Sequence, residues 1–273
     1  MKFSNDMATI HSYLCSDGMV KKFGNHSQIK FTNIEPVLLE DFKNRFKREF
    51  KTEPHFYREG HIGKMMVFNK ELFNNLMEFG PYDSRNWRAP LEFLDTKTTK
   101  LWLRAFFDAE GWVELQRAKS RSVRADCINE AGMKQVAELL RRFGIESQLK
   151  VRTPNYMWRL NICGKENLEK FKKHIGFLHP VKSKLLEDAV KSYMTYEWKI
   201  PKTKHELMKF IRERGRQRFS RGETRIFSIK KSNLSKLKKA LKTYNVNSKL
   251  QGPWYSSQGS EYYCLTLKEK EVK

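Results

Sequence analysis

A unit that recurs along a chain constrains its fold strongly, because each copy must bury an apolar face that it cannot cover alone. The clearest copy spans residues 97–175. Leu101, Leu103, Ala105, Phe106 and Phe107 predict a helix from Thr98 to Ala109, with Gly111 ending it. Two strands are expected next, Trp112 to Arg117 and Ser122 to Ile128, around a basic turn. A helix from Glu130 to Phe143 stops at Gly144, and strands Glu146 to Arg152 and Met157 to Cys163 follow. In the last of these, Trp158, Leu160 and Ile162 alternate with polar residues. A helix from Glu166 to Ile175 closes the unit.

The first ninety residues read in the same order. A helix ends at Asp17-Gly18, strands follow near Met19–Phe23 and Gln28–Thr32, and a helix runs from Glu35 to Phe50. Strands near His55–Arg58 and Lys64–Phe68 and a helix from Lys70 to Phe79 complete it. A shorter third echo has a helix His205–Arg214 stopped by Gly215, a strand Arg225–Ile229 and a helix Leu234–Tyr244. Strands Ser248–Gln251 and Tyr262–Leu267 follow. The turn Phe143-Gly144-Ile145-Glu146-Ser147-Gln148-Leu149 lies in register with Tyr244-Asn245-Val246-Asn247-Ser248-Lys249-Leu250. The expected class is α+β, with two pseudo-symmetric αββαββα repeats over residues 1–95 and 96–199. A small α/β module over residues 200–273 follows them.

Charge narrows the partners. Lys and Arg number 54 against 31 Asp and Glu, a net +23, which predicts affinity for a polyanion. Residues 201–273 alone carry nineteen Lys and Arg against six Glu, with Trp254, Tyr255, Tyr262 and Tyr263 among them. That composition marks the module as DNA-contacting. No run reaches the roughly 20 apolar residues of a membrane span. The opening segment lacks a signal peptide's apolar core, so an intracellular, non-secreted protein is expected, cytoplasmic in a prokaryote or organellar in a eukaryote. Cys15, Cys127, Cys163 and Cys264 are scattered and the seven histidines do not cluster, which argues against a zinc site.

Two helix ends carry the chemistry. One reads Ile10-His11-Ser12-Tyr13-Leu14-Cys15-Ser16-Asp17-Gly18, the other Leu103-Arg104-Ala105-Phe106-Phe107-Asp108-Ala109-Glu110-Gly111. Small residues four apart (Ser12 and Ser16, Ala105 and Ala109) let a second helix backbone approach. An acid before the glycine faces the negative end of the helix dipole, unfavourable by about 0.3–1 kcal/mol. Two such ends brought together concentrate negative charge, which a hard divalent cation such as Mg²⁺ relieves.

These paired motifs resemble those of the LAGLIDADG homing endonucleases in their monomeric, double-motif form, over residues 5–198. The likeness takes in Ile175-Gly176-Phe177-Leu178-His179-Pro180-Val181-Lys182-Ser183-Lys184, similar to the family's link into its last helix. The first motif departs from the pattern at His11, Tyr13 and Cys15. The resemblance implies site-specific cleavage of duplex DNA, with Asp17 and Glu110 holding Mg²⁺ (Mn²⁺ or Ca²⁺ being alternatives) beside the scissile phosphates. Lys182 and Arg85, or Arg88, would assist, and Asp108 would be a helix-surface or interface residue. The strands would form saddle-shaped antiparallel sheets in the major grooves. Lys21, Gln28, Lys30, Arg58 and Lys64 would contact DNA from the first sheet. Gln116, Arg117, Lys119, Arg121, Arg124, Lys150, Arg152 and Arg159 would do so from the second. An intron RNA maturase and a non-cleaving DNA-binding protein are the alternatives on the same scaffold. A freestanding, intron-encoded monomer is expected, because the termini lack the nucleophile and His-Asn ending of a protein-splicing element.

Overall fold

The computed structural model describes residues 3–116, 120–152, 156–193, 197–255 and 261–268. The chain divides into two units, residues 1–193 and 194–273.

The first unit holds both long repeats. Repeat one runs α1 (Asn5–Ser16), β1 (Gly18–Phe23), β2 (His26–Asn33), α2 (Pro36–Phe50), β3 (His55–Glu59), β4 (Ile62–Phe68) and α3 (Lys70–Met77). Repeat two runs α4 (Thr96–Glu110), β5 (Gly111–Gln116), β6 (Ser120–Cys127), α5 (Glu130–Arg141), β7 (Gln148–Arg152), β8 (Met157–Cys163) and α6 (Lys165–His174). A further helix, α7 (Pro180–Lys191), follows. Each repeat folds its strands into an antiparallel four-stranded sheet, ordered β1-β2-β4-β3 and β5-β6-β8-β7. The α+β class and doubled order expected from the sequence are met.

Local chemistry sets the helix ends. The Asp95 carboxylate accepts from Thr98 N–H at 2.7 Å while Thr98 Oγ1 accepts from Asp95 N–H at 2.9 Å, a capping box that starts α4. Pro36 opens α2, where its missing N–H costs nothing. The exits of α1 and α4 are steric. A Cβ on Gly18 would lie 2.3 Å from Leu14 Cα, and one on Gly111 would lie 2.6 Å from the Phe107 carbonyl oxygen. The chain therefore leaves each helix directly into a strand only if that residue has no side chain.

The α1–α4 pair forms the centre of this unit. Ser12 Oγ donates to the Trp102 carbonyl at 2.7 Å, so the small residue brings one helix onto the backbone of the other. Trp102 Nε1 donates to His11 Nδ1 at 3.1 Å, and His11 Nε2 donates to the Phe79 carbonyl at 3.0 Å. Burial holds the His11 imidazole neutral, with its pKa lowered to about 4. Trp102 stacks on Phe106 at 5.7 Å, and Tyr13, Leu14, Phe31, Phe42 and Phe107 fill the surrounding core. Truncating any one of these rings to alanine should cost about 3–5 kcal/mol.

The second unit runs α8 (Lys204–Arg214), β9 (Arg216–Arg218), a single 3-10 turn, β10 (Glu223–Ser228), α9 (Lys231–Lys242), β11 (Ser248–Tyr255) and β12 (Glu261–Lys268). Its sheet order, β9-β10-β12-β11, is that of the other two sheets. The strand Arg216–Arg218 is an addition to the sequence reading: three exposed polar residues carry no alternation to betray it. Leu207, Ile211, Ile226, Leu234, Leu237, Leu241, Leu265 and Leu267 form a separate core. Gly215 repeats the helix-exit geometry, since a Cβ there would lie 2.6 Å from the Ile211 carbonyl oxygen.

Candidate active site and nucleic-acid interface

Asp17 caps the end of α1 and Glu110 is the last residue of α4, so packing of the two helices brings the carboxylates into electrostatic contact. Asn33 Nδ2 donates to Asp17 Oδ2 at 2.8 Å. Burial raises the Asp17 pKa, against the opposing pull of Asn33 and Lys182. Glu110 is pushed up to about 7, by burial first and then by the negative charge of Asp17. Both side chains remain half-buried rather than sealed. Beside Asp17 opens a cleft of about 370 Å³, lined also by Asn33, Glu35, Asp108, His179 and Lys182.

Among the described residues no cluster of three or more His, Cys, Asp or Glu is placed to hold a metal. The donors that could hold one are the carboxylates of Asp17 and Glu110. Two hard oxygen donors that repel each other suit Mg²⁺, which keeps several waters and completes its shell on substrate oxygens.

Lys182 is the charge that faces both acids. It projects from the first turn of α7, and its Nζ donates to the carbonyls of Asp108 at 2.5 Å and Ala109 at 3.5 Å. A cation on the last carbonyls of α4 offsets the dipole penalty of ending that helix with an acid. Burial lowers the Lys182 pKa while Asp108, Asp17, Glu110 and Glu35 hold it up. Asp108 is not a surface residue: it is 1% exposed and its carboxylate accepts from the N–H groups of Leu178 and His179, each at 3.0 Å. It thereby ties the start of α7 to the end of α4. Burial raises the Asp108 pKa to about 6, against those two N–H bonds.

Arg85 forms no ion pair with this constellation among the described residues. Its side chain is exposed and its N–H donates to Asp83. Arg88 is spent on the carbonyls of Asn86 and Trp87, both at 3.1 Å, and on Asn129. It clamps a loop.

Register sorts the expected nucleic-acid contacts by face. In the first sheet Ile29, Phe31, Met65 and Val67 pack inward. Lys21, Gln28, Lys30 and Lys64 therefore share the open face, with His55, Tyr57 and Thr32, which the sequence reading left out. Arg58 does not belong there. It pairs with Gly63 on the parity of Phe56 and Met65, and lines a cleft with Leu39, Glu40 and Lys43 on the helix side.

In the second sheet Val123, Ala125, Leu160 and Ile162 pack inward, leaving Gln116, Arg124, Lys150, Arg152 and Arg159 on the open face. Arg121 has the opposite parity. It donates to Ser192 Oγ at 2.6 Å and to the Ser192 carbonyl at 3.1 Å, and lies over the Tyr193 ring. It fastens the end of α7 to the back of the sheet. Arg117 and Lys119 lie outside the described residues. Two acids on the open face were unforeseen. Asp126 accepts from Arg159 at 2.7 Å and from Arg152 at 3.2 Å, and Glu114 lies 3.5 Å from Arg124.

Residues 98–176 match the model of the LAGLIDADG-like domain family. The match spans the second repeat, from α4 to α6. The homing endonuclease I-DmoI, in structures with DNA and Ca and in mesophilic variants, superposes with a TM-score of 0.50 in each. Identities are 14% and 16%, and the match covers 68% of this chain and all of I-DmoI. The chain has that fold.

Curated relatives are of another kind. A glutamine–fructose-6-phosphate aminotransferase of Methanocaldococcus jannaschii is 27% identical over 221 residues, 76% of this chain and 20% of that protein. A probable translation initiation factor IF-2 of Thermococcus kodakarensis is 35% identical over 62% of this chain and 15% of that protein. A replication factor C small subunit of the same organism is 26% identical over 76% and 24%. The chain thus spans between 15% and 24% of the length of these relatives.

One sequence signal points to a separate role for Asp108. An acid two residues before Glu110 sits on a different helix face, so it must answer to another partner. That partner is a backbone about seventy residues away, which no local pattern displays. Among the described residues no helix is long and apolar enough to cross a membrane.

Proposed function

We propose that this chain is a site-specific endonuclease of duplex DNA, with Asp17 and Glu110 as the metal-holding carboxylates and one acid serving each strand. The observation that carries the reading is the meeting of two acids at paired helix ends, close enough for Asp17 to help hold Glu110 up to about 7, with Lys182 against both. A fold has little use for two repelling carboxylates in one half-buried place unless a cation joins them. A divalent ion bound there would polarise a phosphoryl oxygen and supply an activated water.

The chain's own residues do the rest. Asn33 orients the Asp17 carboxylate, and Asp108 fixes the start of α7 so that Lys182 stays beside the reacting phosphate. The Lys182 ammonium then offsets charge that builds on the phosphoryl oxygens. Lys21, Lys30 and Lys64 on one sheet and Arg124, Lys150, Arg152 and Arg159 on the other engage the DNA. The Asp126 bridges hold Arg152 and Arg159 in fixed geometry, which favours direct readout of base edges. I-DmoI, whose structure includes DNA and Ca, supports the choice of duplex DNA and a divalent ion.

The relatives suggest where such a chain resides. An aminotransferase, a translation factor and a replication factor share no chemistry, yet each shares a segment with this chain. That favours a mobile insertion carried by unrelated hosts. The test is cleavage of a genomic duplex library with Mg²⁺, by wild type and by Asp17→Asn and Glu110→Gln. Loss of double-strand cutting with binding kept is the expected result. Wild-type cutting rates in both variants would remove the assignment of the two acids.

A further inference from the structure

The second unit repeats the αββαββ order and sheet topology of the first unit's repeats, but inverts the charge at the helix exit. Where α1 and α4 end on Asp17 and Glu110, α8 ends on Arg214 before its glycine. Arg214 and Arg216 line a concavity of about 540 Å³ whose other walls are Phe227, Ser228, Ile229 and Tyr262. The Arg214 guanidinium lies 4.8 Å from the Phe210 ring centroid and 5.2 Å from that of Trp198, and Arg216 lies 6.0 Å from that of Phe227. Among the described residues neither forms a salt bridge with a carboxylate. Two guanidiniums held on ring faces, with their donor forks uncommitted, are prepared for a phosphate.

The floor of the concavity is apolar, and that decides the ligand. Phe227 is 39% exposed and Ile229 52%, and Tyr262 sits 6.1 Å from Phe227 and 5.9 Å from Trp254. A duplex backbone offers such a floor only phosphate and sugar, whereas an unpaired nucleotide offers a base face beside its phosphate. We infer that this concavity seats an unpaired nucleotide of a single-stranded segment, its phosphate on Arg214 and Arg216 and its base on Phe227 and Tyr262. The neighbouring open face continues the path. Arg216, Arg225 and Lys249 line one cross-strand row with Thr266, on the side opposite buried Ile226 and Leu265.

The inference rests on the nucleic-acid reading above and is separable from it. The full-length chain is titrated by fluorescence anisotropy with labelled oligothymidylate and oligouridylate of about 12 nucleotides, and with a duplex of equal length. Three proteins are compared: wild type, Phe227→Ala with Tyr262→Ala, and Arg214→Lys with Arg216→Lys, which keeps charge and loses the planar fork. Both variants should bind the single strands about tenfold or more weakly while duplex affinity and duplex cutting stay at wild-type values. Unchanged single-strand affinity in the two variants overturns the inference, as does an equal loss for single strand and duplex. Circular dichroism of each variant guards against misfolding, and the exposed Phe227→Ser alone serves if the double replacement unfolds. Whichever polymer depends on these residues bears the inference out and identifies the natural strand as DNA or RNA. A wild type that binds no duplex at all refutes the endonuclease reading instead.

Discussion

Replacing Glu110 with glutamine should stabilise the metal-free protein at pH 8 and leave it nearly unchanged at pH 5. Glutamine keeps the shape and removes a carboxylate whose pKa stands at about 7 instead of the ordinary 4.5. Between those values the folded chain holds a proton that the unfolded chain has released. Stability therefore falls as pH rises through the window, and the full penalty is present above about pH 7. The rise from 4.5 to about 7, at about 1.4 kcal/mol per pH unit, caps the gain at about 3.5 kcal/mol. The carboxylate is half-buried, so solvent screening brings the expected gain to about 1–2 kcal/mol. That corresponds to about 2–8 °C in the melting temperature of a unit this size. The assay is thermal unfolding with a chelator at several pH values, for wild type and variant side by side. Asp108, at about 6, titrates in the same window but is present in both proteins, so the difference isolates Glu110. Adding Mg²⁺ at pH 8 should recover the wild type and not the variant. A variant less stable than wild type at pH 8, or a gap that is the same at pH 5 and pH 8, would refute the repulsion argument.

Gly18→Ala should lower stability by about 1–3 kcal/mol or more, read from denaturant midpoints, because its Cβ would meet Leu14 Cα at 2.3 Å. Arg121→Ala should weaken the fold through Ser192 and Tyr193 and leave base preference alone, whereas Lys150→Ala should reduce DNA affinity with stability unchanged; binding and melting curves on both variants separate the two roles. Duplex binding should weaken steeply with salt: seven cations on the two open faces predict a slope of log affinity against log salt of about −6, and one shallower than about −3 would argue against the saddle contact.

The helix and hairpin order was legible because glycines close the helices and period-two runs mark most strands. The acid pair was legible for a different reason, since the same pattern occurs at two equivalent helix ends. What was hidden depended on parity and distance. Arg58 and Arg121 look like any strand cation until register assigns them to the helix side, and one residue of slip reverses that assignment. Asp126 and Glu114 were hidden because an excess of basic residues along a strand gives no sign of which acids on neighbouring strands pair with them. The link from Asp108 to the start of α7 is a long-range hydrogen bond between a side chain and two backbone amides, and periodicity carries no trace of it.

The helix exits separate two kinds of constraint that usually coincide. At Gly18, Gly111 and Gly215 any side chain meets the backbone or carbonyl four residues earlier, so that position is closed to change. The residue immediately before is held by the same backbone yet accepts Asp, Glu or Arg in the three copies. A single codon can therefore exchange an acidic helix end for a basic one while the scaffold stays as it is. A lineage that duplicates this unit can diversify its chemistry at one address without first solving a new folding problem.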